Sequence, residues 1–151
     1  MHPDPAPSAS VVSVSTVLPN RRLGWASLVL GIATGLALGM WAFDGPLAVP
    51  HALGDYADTP RRLVRLGHIA FVGLGILDIL LARELVESSL APRARFVASR
   101  AMLLGNAFLP PCLIASAFAP ALKYAMALPA TSVFVAVCLA AWGARPGGRA
   151  S

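Results

Sequence analysis

Two ionisable side chains, His68 and Asp78, stand alone in the apolar run 66–82, which follows the basic cluster Arg61, Arg62 and Arg65. If that run crosses a membrane, each sits where a charge is costly and calls for a partner or a purpose. Ten residues separate them, which is about 15 Å along a helix and about 80° around it, so both can face one interior. Counting inward from the opposite end of the next apolar run brings Asn106 to the depth of Asp78. A carboxyl at that depth needs an amide partner or a proton. The pair Asp78 and Asn106 therefore reads either as a hydrogen bond that pins two helices together or, with His68, as a proton or cation relay. No second carboxylate continues a path, which favours the pin.

His68 belongs with Arg65 and with the loop residues His51 and Asp55 in a second cluster near the other face. An interfacial histidine bonded to a loop carbonyl is the plainest reading of it. A quinone or lipid-headgroup pocket is an alternative. Haem or copper at His68 would have to recruit Met40 or Met126, and methionine in an apolar helix usually packs, so no cofactor or metal is expected. No Ser, Cys or Thr stands in a nucleophile–base pattern, and no glycine loop joins a strand to a helix. The chain is read as non-enzymatic. Cys112 and Cys138 lack metal spacing and read as small buried side chains.

These residues need helices in lipid to position them. Of 151 residues, 57% are hydrophobic and 13% charged, against roughly 25% charged in soluble domains, and mean hydropathy is +0.71. The charges are clustered between long uncharged runs. The expected fold is all-α, an integral membrane four-helix up-and-down bundle with spans at about 23–43, 64–82, 100–118 and 124–142. Residues 1–20, with Pro3, Pro5, Pro7 and Pro19, are expected to be a disordered tail, 21–143 the helical domain, and 144–151 a polar tail. The first run is too long for a cleaved signal. In it Gly31, Gly35 and Gly39 form a small-residue stripe, suited to helix packing within the chain or to a homodimer. Pro110 and Pro111 predict a kink in the third span, and Pro60 after Thr59 predicts a helix start.

The net charge of +5 flanks apolar runs, so it signals topology and anionic lipid, not nucleic acid. Arg21, Arg22, Arg83, Arg93, Arg95, Arg100, Arg145 and Arg149 fall on one side, and Arg61, Arg62, Arg65 and Lys123 on the other. That asymmetry expects both termini in the cytoplasm. Richness in Ala, Arg and Pro suits a high-GC bacterium and hence an inner membrane. The functional expectation is a non-catalytic subunit or assembly partner, with the lipid bilayer and other membrane subunits, or a second copy, as partners.

Overall fold

A computed structural model describes residues 9–42 and 45–144, with side chains from Val17 onward. The described residues are helical, without strands, in four long helices. These are α1 (Ala9–Gly39), α2 (Thr59–Glu87), α3 (Pro92–Phe118) and α4 (Ala127–Gly143), with 3-10 turns at His51–Leu53 and Pro120–Met126. Three segments, Val17–Gly39, Pro92–Phe118 and Pro120–Gly143, are long and apolar enough to cross a membrane. α2 carries the buried carboxylate and lies among the others.

Local signals set most boundaries. Proline at the first turn, where a missing N–H costs nothing, starts both α2 and α3. The connection between them is only residues 88–91, shorter than the charged 83–99 segment suggests. Between α1 and α2 the chain turns at Gly54, whose φ of 62° favours glycine and whose missing Cβ leaves room for the Asp58 carboxylate. Through the sequence Pro110-Pro111 the helix α3 continues to Phe118, although neither proline can donate to the turn before it.

The expected tail is corrected in part. Residues 9–20 are the first turns of α1, which passes through Pro19. Val17 and Asn20 are buried there, and that packing against α2 and α3 outweighs the lost proline hydrogen bond and the weak local propensity. Residues 1–8 and 145–151, including Arg145 and Arg149, lie outside the described residues.

Consecutive helices pack on one another, and α3 also touches α1. α1, α2 and α3 thus form a triangle, and α4 leans on α3 with little contact to α2. Missing side chains make the closest approaches. A Cβ on Gly24 would lie 2.8 Å from the Gly75 carbonyl, one on Gly31 would lie 2.6 Å from Val72, and one on Gly35 2.6 Å from the His68 ring. Gly105 does the same for α3 against Val133 and Pro129 of α4. Gly31 and Gly35 are therefore occupied within the chain, whereas Gly39 has nothing within 4 Å. The apolar core, with Leu74, Leu81, Leu85, Ala98, Met102 and Ala136, fills the end of the triangle nearer the α2–α3 connection. Cys112 is half-buried, but Cys138 is exposed on the outward face of α4 and is corrected from buried.

Candidate functional site

At the centre of the triangle five polar side chains form one hydrogen-bonded chain. Asp78 of α2 is fully buried, as are Asn20 of α1 and Asn106 of α3. Asn20 Nδ2 donates to Asp78 Oδ1 at 2.6 Å, and Asn106 Nδ2 donates to Asp78 Oδ2 at 2.8 Å. Behind each amide stands a hydroxyl. Ser99 Oγ donates to Asn20 Oδ1, and Ser27 Oγ donates to Asn106 Oδ1 at 2.7 Å. In both arms a hydroxyl donates to an amide oxygen and the amide donates to the carboxylate, so the amide dipoles converge on its two oxygens.

The orientation of Asn20 is set by two acceptors, because the same Nδ2 also donates to the Ser99 carbonyl at 3.1 Å. Rotating that amide would place its oxygen against a carbonyl and a carboxylate. Asn106 has more freedom, since the Ser27 hydroxyl can either donate or accept. Among the described residues no buried polar side-chain atom is left without a partner, as a low-dielectric interior demands.

Two pairs spaced by seven residues build the site. Asn20 and Ser27 share one face of α1, and Ser99 and Asn106 share one face of α3, with the same offset of 79 between partners. α1 and α3 therefore run parallel in matched register, and antiparallel α2 inserts Asp78 between two polar layers about 10 Å apart. Sequence reasoning paired Asp78 with Asn106 and missed Asn20, Ser27 and Ser99. The Pro-rich tail masked Asn20, the charged stretch before the third span masked Ser99, and Ser27 precedes the glycine stripe in the first span, where a small residue reads as packing. The repeated seven-residue spacing was the available signal.

The second cluster divides. His68 Nδ1 lies 2.7 Å from the Gly31 carbonyl, which can only accept, so that nitrogen carries the hydrogen. Arg65 donates to the Tyr56 carbonyl at 3.1 Å, and its guanidinium lies 4.0 Å from the centre of the Tyr56 ring. Arg61 donates to the Trp41 carbonyl at 2.6 Å and lies 5.3 Å from the same ring. His68, Arg65, Arg61 and Tyr56 line one groove of about 210 Å³ with Gly35 and Gly39. His51 is exposed outside that groove, and Asp55 is exposed in the loop, where its backbone N–H bonds the Asp58 carboxylate at 2.8 Å. Neither completes a cluster with His68. Among the described residues no group of three His, Cys, Asp or Glu side chains is placed to hold a metal ion.

Comparison with protein-family models, with curated proteins and with solved structures returns no match for this chain.

Proposed function

We propose that the chain is a multi-pass integral membrane protein of a bacterial inner membrane, with four spans and cytoplasmic termini, serving as a non-catalytic subunit or assembly partner in a membrane complex. One observation carries the membrane reading: a buried polar cluster lies inside beside the apolar core, while many large apolar side chains face outward. Asp78, Asn20 and Asn106 are buried, while Ile32, Leu36, Phe108, Leu128 and Phe134 are each more than half exposed. In water that arrangement wastes the hydrophobic driving force, and in lipid it satisfies every polar group internally.

α2 counts as the fourth span because it runs beside α1. Its contacts with α1 pass in antiparallel order from Gly24 at Gly75, through Gly31 at Val72, to Gly35 at His68. A helix aligned with a spanning neighbour over that length cannot lie flat at the interface. The arginines at 61, 62 and 65 then mark the end of α2 next to the loop, and Arg83 the other.

The non-catalytic role draws on the place of Asp78, which accepts from the Asn20 and Asn106 amides and lines none of the described cavities. This supports the pin over the relay. The partner role draws on α4, which buries only Pro129, Ala136 and Gly143 and leaves a cleft of about 420 Å³ between itself and α2. The glycine stripe no longer contributes, since Gly31 and Gly35 face α2. Blue native electrophoresis of gently solubilised membranes tests the reading: migration well above 15.7 kDa plus detergent supports a complex, and a lone monomer without co-purifying partner overturns it.

A further inference from the structure

The groove between the end of α1 and the start of α2 has a composition that helix packing does not explain. Two permanently charged side chains and a histidine face it, and among the described residues no carboxylate is hydrogen-bonded to any of them. Arg61 is only 8% exposed, so its charge is largely withdrawn from water, where an uncompensated guanidinium is costly. Each guanidinium has five donors and gives one to a backbone carbonyl, Trp41 for Arg61 and Tyr56 for Arg65. Those carbonyls and the Tyr56 ring hold both planes in place, which leaves donors for a bidentate partner.

The walls are equally particular. Gly35 gives way to the His68 ring, and the Gly31 carbonyl fixes that ring's orientation. Gly39 opens the floor, since nothing lies within 4 Å of where its Cβ would be. At about 210 Å³ the groove is smaller than the roughly 300–1,000 Å³ of a pocket that engulfs a whole organic ligand. It suits a small anionic head whose remainder lies elsewhere. On α1, Leu36, Ile32 and Val29 lead away from the groove as a lane of exposed apolar side chains, against which acyl chains can lie. A quinone head, being neutral, would leave both guanidinium charges uncompensated.

We infer that this groove binds the phosphate of an anionic phospholipid headgroup, held by Arg61 and Arg65 over Gly39, with His68 closing its inner end. The inference rests on the reading that α1 and α2 cross a membrane, and the shared chemistry, a phosphate oxyanion, is also that of free phosphate. Full-length protein extracted in micelles of mixed phosphatidylglycerol and phosphatidylcholine is analysed by native mass spectrometry, with and without added inorganic phosphate. The expected result is retained phosphatidylglycerol in preference to phosphatidylcholine, reduced on the order of tenfold in Arg65→Gln. Gly39→Phe, whose ring enters the groove from a position where a Cβ meets nothing within 4 Å, is expected to abolish retention, and its melting temperature, read alongside, shows that the variant is folded. Displacement of the lipid by inorganic phosphate supports a site that reads the phosphate group alone, and resistance to it supports one that also reads the lipid. Equal retention of both lipids, or retention unaltered in both variants, overturns the inference. Resistance of the protein to alkaline carbonate extraction, measured in parallel, keeps a failure here distinct from a failure of the membrane reading.

Discussion

Asp78 accepts two amide N–H groups, and among the described residues no cation is bonded to it. The stability of the site therefore depends on amides, each of which has a second task. Asp78→Leu removes the acceptor of one N–H on each of two buried amides, Asn20 keeping only its bond to the Ser99 carbonyl, and is expected to lower unfolding stability by about 2–4 kcal/mol. Asp78→Asn keeps one acceptor and sets an NH2 against one of the two neighbours. Asn106 can rotate to meet it because Ser27 accepts as well as donates, so the loss is expected to be only about 1 kcal/mol. Asn20→Ala removes two donors and an acceptor from a helix turn that already contains Pro19, and a loss of about 1–3 kcal/mol is expected. Unfolding by steric trapping in bicelles measures all three. A smaller loss for Asp78→Leu than for Asp78→Asn would remove the convergent-donor account. Of this site, helix arithmetic reaches Asp78 and Asn106 from the sequence, because both lie in long apolar runs whose direction is clear. Asn20 and Ser99 are not legible that way. They sit among prolines and arginines, where local composition argues against a packed helix and only the tertiary contacts argue for one.

At the scale of helices, glycine decides which pairs approach. Gly31 and Gly39 belong to one stripe by spacing, yet they differ in what faces them: Val72 at 2.6 Å from a Cβ in one case and open space in the other. Gly31→Leu is expected to force α1 and α2 apart and to cost about 1–3 kcal/mol through overpacking. Gly39→Ala is expected to leave stability unchanged or raise it slightly. Thermal melting in detergent micelles distinguishes them, and equal losses at both positions would mean that the stripe packs as a whole against something outside this chain. Sequence spacing shows that a small face exists. It does not show where along α1 the neighbour diverges, because that depends on the crossing of α1 with α2 and on the loop that joins them.

For the whole molecule, the parity of spans is the simplest test of topology. Four crossings return the C-terminus to the side of the N-terminus, whereas three put them on opposite sides. With α2 aligned beside α1, green fluorescent protein fused to either end is expected to fluoresce in the cytoplasm, and alkaline phosphatase at either end to be inactive. An active phosphatase at one terminus alone would reduce the count to three and place α2 out of the membrane. The positive-inside asymmetry points the same way as the alignment of α2, though the arginines at 61, 62 and 65 oppose it.

The helical class and the long apolar segments were legible in the sequence alone, since 57% hydrophobic residues fall in uninterrupted runs of helix-spanning length and not in the alternating pattern of strands. Threonine and proline at residues 59–60 likewise mark a helix start through local stereochemistry, whereas the start of α3 at Pro92 precedes the span expected from residue 100. Only the tertiary structure decided that α1 begins at Ala9, that α4 leans on α3 without closing a ring, and that five side chains from three helices meet at Asp78. Those features depend on register between helices far apart in sequence, and a seven-residue spacing within each helix says nothing of its partner until the helices are laid side by side.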